Sequence, residues 1–182
     1  MIIGRKIILR DKKLSDAWDD YNWEIDSELA HLDAAPVADI SFSNYLSDYT
    51  DILRHSSSTS RRFAIETLDG KHIGNCSFYN INKTRGEAEL GIMIGDHAYW
   101  NKGYGTDAVT LLLNYIFGET RLKRVHLKTL ETNRRAQECF RKCGFTPCGH
   151  SLNDGYYFTQ MEIDRQMWQE KQPDPEADGE SR

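Results

Sequence analysis

The stretch AYWNKGYGTDAVTLLLNYIFG, residues 98–118, runs a glycine-bearing turn directly into a strongly apolar segment with helical spacing. A helix start presents backbone N–H groups with no partner inside the helix, together with the positive end of its dipole. Gly103 and Gly105 remove the Cβ atoms that would keep an anion away from those amides. The turn is therefore expected to hold a phosphate. Gly103-x-Gly105-x-x-Ala108 satisfies a dinucleotide-binding pattern, so the question is which phosphate it holds.

A dinucleotide-binding turn sits in a strand–helix–strand unit and is followed about 20 residues later by an acid. At that distance this chain carries Lys123, Arg124 and Lys128, with Glu131 the nearest acid. A P-loop is absent as well, because Lys102 precedes its glycine. Upstream, the pattern predicts a strand over 4–10, two short helices within 14–33, and a third helix over 41–55 capped by Ser41. Residues 60–82 read as a hairpin about Asp69-Gly70, and a turn at 82–87 leads into a strand over 88–96. Three antiparallel strands thus precede the glycine turn.

The apolar helix is expected to end at Gly118 as a C-cap. A strand over 122–130 follows, then a helix over 133–143 capped by Thr132 and closed by Gly144. Residues 145–152 and 155–163 form a terminal antiparallel pair turned by Asn153-Asp154-Gly155. The expected domain is 1–168, with a polar tail, 169–182, that reads as disordered.

Hydrophobic residues make up 39% of the chain and the net charge is −5, without a basic block, which argues against a nucleic-acid partner. No apolar run of about 18 residues suits a membrane span, and residues 1–10 do not read as a signal peptide. The expected location is cytoplasmic, with Cys76, Cys139, Cys143 and Cys148 as thiols. Their spacing with His150 matches no standard zinc pattern, so no metal is expected.

Two motifs at the right separation carry a family resemblance: IMIGDHAYWNKGYGTDAV, then, after a strand, NRRAQECFRKCGF. They resemble the acyl-CoA-binding half of GNAT N-acetyltransferases, nearest the branch of ribosomal-protein alanine and polyamine acetyltransferases. The resemblance covers residues 4–165. It implies a single α/β acyl-CoA N-acyltransferase domain, with a mixed, mostly antiparallel twisted sheet flanked by helices. It also implies acetyl-CoA as co-substrate, direct attack by a small-molecule or peptide amine, and the homodimers that relatives often form. The pyrophosphate would lie over Asn101, Lys102, Gly103, Tyr104, Gly105 and Thr106, and pantetheine along Ile92, Met93 and Ile94. Backbone N–H groups near Met93 and Ile94 would stabilise the oxyanion. Asn133 would bond the acetyl-bearing end of the co-substrate, or else cap its helix, and Arg135 would reach CoA phosphates or solvent.

Two positions depart from the family pattern. Trp100 stands where Arg or Gln often precedes the turn. Phe140 stands where many members carry a Tyr that protonates the departing thiolate. Tyr104, Tyr156, Tyr157 or Cys139 could replace that acid; otherwise the chain is a catalytically weakened, CoA-binding regulatory domain. A nicotinamide-dependent oxidoreductase is the third reading. For the proton on the amine, Glu89 is the candidate base, on the strand face shared with Met93. Glu24 and Asp26 are candidates for the acceptor wall, and His126 reads as structural.

Overall fold

The computed structural model describes residues 1–55 and 57–171. Eight strands form one sheet in the order β1-β2-β3-β4-β5-β6-β8-β7. They are β1 (Ile2–Ile3), β2 (Ile7–Arg10), β3 (Arg61–Thr67), β4 (His72–Asn82), β5 (Glu87–Ile94), β6 (Arg124–Leu130), β7 (Thr146–Asn153) and β8 (Tyr156–Asp164). Helices α1 (Ala17–Glu24), α2 (Ser27–Leu32) and α3 (Phe42–Arg54) lie between β2 and β3. Helix α4 (Tyr104–Glu119) joins β5 to β6, α5 (Arg134–Cys143) joins β6 to β7, and α6 (Arg165–Glu170) follows β8. Only β5 and β6 pair in parallel.

The two faces of the sheet differ in chemistry because strand side chains alternate. Ile7, Leu9, Phe63, Ile65, Phe78 and Leu90 pack on one face against Ala108, Val109, Leu112, Leu113 and Ile116 of α4 and Phe140 of α5. The opposite face carries Asn75, Tyr79 and Glu89 and lies under α1, whose Asp20 accepts from Asn75 Nδ2 at 2.6 Å. A salt-bridged Arg10–Asp16 pair, 2.8 Å apart and almost fully buried, anchors the segment before α1 to β2. Lys12 is held by Asp20 and Asn75.

The first strand is shorter than the pattern over 4–10 predicts. Residues 4–6 leave the sheet because Asp107, in the first turn of α4, accepts from the backbone N–H groups of Arg5 (3.3 Å), Lys6 (2.7 Å) and Ile7 (3.2 Å). Helix α4 also runs past Gly118, the expected stop, to a cap at Thr120. Arg165 supplies the reason: its guanidinium donates to the carbonyls of Phe117, Thr120 and Leu122, which a helix end otherwise leaves unpaired. Both expected hairpins are present, with Gly70 at φ +90° in the first and Asp154 and Gly155 at φ +50° and +81° in the second.

Helix α6 carries the fold past the boundary expected at 168. Trp168 packs on Phe117 with centroids 5.4 Å apart, and its indole N–H donates to Asn114 at 2.9 Å. Gln169 and Glu170, placed in the tail by the sequence, belong to this helix. The remainder of that tail, 172–182, lies outside the described residues. Charge-assisted bonds contribute more than neutral ones, so Asp107→Ala is expected to lower stability by about 2–3 kcal/mol. Urea unfolding followed by circular dichroism measures this, and an unchanged midpoint would show the Asp107 contacts to be dispensable.

Candidate active site

The site begins where two parallel strands stop pairing. β5 and β6 are matched at Glu87–Arg124, Ala88–Val125 and Glu89–His126 and no further. Beyond that point residues 90–94 remain paired with β4, and residues 127–130 with β8. The wedge between them opens into a cleft of about 620 Å³. Gly95 N–H donates to Ile73 C=O at 2.9 Å, which fixes the alternation along the β4–β5 ladder. Odd-numbered residues of β5 turn their N–H and C=O groups toward β4; the Leu90 N–H completes the last pairing with His126 of β6, and the Leu90 C=O and the backbone groups of Ile92 and Ile94 turn toward the wedge. Of the three residues expected to meet pantetheine through the backbone, Ile92 and Ile94 thus face the wedge and Met93 faces β4. The carbonyl of Ile94 already accepts the Trp100 indole N–H at 2.6 Å.

At the wide end of the wedge the chain turns into α4. Asn101 and Gly103 have positive φ, +58° and +84°, and Gly103 is the N-cap residue of α4, with no side-chain cap. The N–H groups of the first turn are accordingly offered to the cleft, which Asn101, Gly103, Tyr104, Gly105 and Thr106 all line. A Cβ on Gly105 would lie 3.6 Å from Cys139 Sγ and 3.7 Å from Ile94 Cγ1, so a larger side chain there would enter the cradle. Lys102 does not line it; its Nζ donates back to Ala98 C=O at 2.8 Å.

Asn133 lines the cleft and also caps α5, its Oδ1 accepting from Ala136 N–H at 3.1 Å. The cap expected at Thr132 is therefore made by Asn133, and its Nδ2 is the group left to donate to a ligand. Arg135, two residues along, places its guanidinium carbon 3.5 Å from the centroid of the Trp100 ring.

The narrow end opens on the polar face of the sheet. Tyr79 lies opposite Glu89 in the ladder, and its ring contacts the Cβ position of Gly91 at 3.2 Å. Burial pushes the Tyr79 hydroxyl well above its usual range, and the hydrogen-bonded Glu89 carboxylate raises it further. Glu89 does not line the cleft itself; it accepts from Asn80 Nδ2 at 3.1 Å and reaches the opening through Tyr79. Asp33, at the end of α2, does line it. Desolvation holds its carboxyl above the ordinary value, against the pull of Lys128. Glu24 lies off the cleft, yet desolvation and then Asp33 and Asp20 push its carboxyl up as well. Asp26 is spent elsewhere: its Oδ1 caps α2 through Glu28 and Leu29 N–H, both at 2.9 Å.

Sequence reading did not single out Tyr79 or Asp33. Tyr79 was hidden because a register shift between Tyr79 and Asn82 is what brings it opposite Glu89. Asp33 carried no signal, because only tertiary packing brings the end of α2 over the wedge.

Phe140 lines the cleft as a 6% exposed ring packed edge-on to Phe145 at 5.8 Å. Cys139, a suggested substitute acid, lies at the α4 end, where Thr106 Oγ1 donates to its sulfur at 3.5 Å. The hydrogen bond from Cys143, opposed by burial and aided by Thr106, lowers its thiol below the ordinary range, so it holds a proton less firmly than an ordinary cysteine. Tyr157 is 62% exposed on β8. Among the described residues no group of three His, Cys, Asp or Glu side chains could hold a metal ion, and no helix is long and apolar enough to cross a membrane.

Residues 6–146 match the family described as acetyltransferase (GNAT) domain. The fold is shared with spermidine N-acetyltransferase from Vibrio cholerae in complex with CoA and spermine. That likeness has a TM-score of 0.81 at 21% identity and covers 90% of this chain and 98% of that one. Aminoglycoside acetyltransferase AAC(6')-Ib in complex with coenzyme A has a TM-score of 0.75 at 19% identity, over 91% and 98% of the two chains. In sequence, the uncharacterized N-acetyltransferase p20 of Bacillus licheniformis is 27% identical over 70% of this chain and 72% of its own length. Spermidine N(1)-acetyltransferase of Escherichia coli (strain K12) is 33% identical over 60% of this chain and 57% of its own length. The chain is a member of the GNAT acetyltransferase family. Membership removes the nicotinamide reading, and the named relatives are acetyltransferases, which lends nothing to the regulatory alternative.

Because the thiolate is the nucleophile and the Cys139 thiol is lowered, alkylation of Cys139 by iodoacetamide is expected to set in at a lower pH than for an ordinary thiol. The exposed Cys148, whose thiol is pushed up, should react only at higher pH. Peptide mapping of the alkylated protein reads both, and a Cys139 rate that climbs only above pH 8.5 would contradict the placement of the thiolate.

Proposed function

We propose that this protein transfers the acetyl group of acetyl-CoA to the primary amine of a small acceptor that carries further positive charge. The observation that carries the reading is the wedge between β5 and β6 leading to an uncapped helix start. A row of free backbone groups suits an extended amide-bearing arm, and the α4 amides suit a pyrophosphate. Gly103 and Gly105 keep the cradle clear of side chains, so the residues present fit the co-substrate. When bound, acetyl-CoA supplies an activated thioester.

In this mechanism the Leu90 C=O and the Ile92 backbone hold the pantetheine arm and the thioester carbonyl, and the Ile92 and Ile94 N–H groups stabilise charge developing on the carbonyl oxygen. Met93 has no part in that contact. Tyr79 takes the proton of the incoming ammonium at its phenol oxygen and passes its own to Glu89, which acts as base. The high pKa of Tyr79 keeps the phenol protonated and ready to relay. Phe140 lines the cleft with no proton to give, so the departing thiolate takes its proton from solvent.

Asp33 at the opening, with Glu24 behind it, supports a cationic acceptor. The relatives that are spermidine acetyltransferases act on such a molecule, which makes spermidine the first acceptor to test. Acetyl-CoA at 100 times its Kd should stabilise the protein by about 2.7 kcal/mol, with no shift from NAD. Thiol release should then appear on adding spermidine. Absence of both would end this reading.

Tyr79→Phe and Glu89→Gln should each lower kcat by about 10²-fold or more with acetyl-CoA affinity retained; full activity in both would remove the relay. Lowering the pH should raise the acceptor KM as Asp33 and Glu24 become protonated, at a higher pH than ordinary carboxylates would require because both are held above their ordinary values. The KM for acetyl-CoA should stay level over the same range, and steady-state kinetics at fixed ionic strength separates the two.

A further inference from the structure

Both ammonium groups at the turn are taken up by carbonyls: Lys6 Nζ donates to Lys102 C=O and Lys102 Nζ to Ala98 C=O, each at 2.8 Å. Position 100 itself is Trp. A guanidinium nevertheless stands at that place. Arg135, projecting from α5 on the far side of the wedge, sits 3.5 Å from the Trp100 ring centroid, the shortest cation–ring distance among the described residues.

The Trp100 ring is itself fixed from two further directions. Its indole N–H is bonded to Ile94 C=O at 2.6 Å, and the His97 ring stacks on it at 4.0 Å with planes 27° apart. Trp100 and Arg135 both line the cleft, on opposite arms of the wedge. Desolvation is the main influence on the Arg135 guanidinium, opposed by a distant Glu28, and no carboxylate is bonded to it among the described residues. A planar, weakly hydrated cation held over an aromatic face beside a ring of free amides is arranged to receive an anion.

We propose that Trp100 and Arg135 form a two-part anion clamp: the Trp100 ring positions the Arg135 guanidinium across the mouth of the wedge, where it binds the pyrophosphate of acetyl-CoA. Arg135 is the binding residue and Trp100 the positioning residue. The inference rests on the reading of the cleft as an acetyl-CoA site. It replaces the expectation that Lys102 provides the charge, and it explains how the turn functions with an indole at position 100.

The test compares acetyl-CoA with S-acetyl-pantetheine, which has the same thioester and arm but no phosphates, in the wild type and in Arg135→Gln, Trp100→Ala, Trp100→Phe and the Trp100→Ala/Arg135→Gln double variant. Removing a charged hydrogen-bonding partner should raise the Kd for CoA, read by calorimetry, about 10-fold or more in Arg135→Gln. Trp100→Ala should weaken CoA similarly. The double variant should lie within about 2-fold of Arg135→Gln, because one interaction is lost in both. Trp100→Phe, which keeps a ring for the cation, should retain most of the affinity. The loss of kcat/KM for S-acetyl-pantetheine should be smaller than the loss of CoA affinity in every variant.

Multiplying losses in the double variant, or equal losses with S-acetyl-pantetheine, would show that Trp100 merely shapes the cleft and would overturn the clamp. A wild type that binds CoA with Arg135→Gln indistinguishable from it overturns the clamp alone. A wild type that binds no CoA overturns the acetyl-CoA reading and the clamp with it.

Discussion

Everything functional in this molecule depends on a sheet that fails to close. Unpaired backbone groups are costly where water is excluded, so a wedge between neighbouring strands persists only if other elements hold each arm. Here β4 holds one arm along residues 90–94 and β8 holds the other along 127–130. Helix α4 spans the gap behind them, pinned at its start by Asp107 through the residue 5–7 amides and at its end by Arg165. The opening is thus a product of strong pairing elsewhere.

The two sheet faces divide the chemistry. The apolar face under α4 and α5 supplies the rigid platform and the amide cradle. The face under α1–α3 buries charge instead: Arg10 on Asp16, Lys12 on Asp20, and His72 with its ring nitrogens near Gly74 C=O and Asp19. Such groups are tolerated because nearly every charge has a hydrogen-bonded partner. Burial raises the Asp16 carboxyl, but Arg10 and the Lys13 N–H more than reverse this, leaving it below its ordinary value. Its contribution to stability is therefore present above the unfolded carboxyl value and lost as the pH falls through the depressed one. This network sets the position of α1 and α2, and through them the place of Asp33 beside the opening.

The glycine-turn end of the cleft was legible and its opening on the polar face was not. Gly103 and Gly105 before an apolar helix, with Asn133 and Ala136 at a fixed separation, announce a local structure whose chemistry is carried by the backbone. The 60–82 hairpin and its turn at Asp69-Gly70 were equally plain. Thr132 and Asn133 were interchangeable as caps on sequence grounds, and only the observed geometry gave the task to Asn133. Lys102 looked like a phosphate ligand because it adjoins the turn, yet a nearby carbonyl captures it. Glu89 was placed on the correct strand face, but its route to the cleft runs through Tyr79, a residue on the neighbouring strand.

Sequence alone determined the strand–turn–helix unit, the alternation that makes one sheet face apolar, and the kinship that follows from two motifs in order. These are local or periodic properties, governed by Cβ sterics, helix-end amides and the two-residue period of a strand. Tertiary structure alone decided where pairing between β5 and β6 stops, which backbone groups face the gap, and that Arg135 meets Trp100 across it. Each of these is a contact between residues far apart in the chain, set by how the sheet and helices close on one another. No short-range pattern encodes that distance.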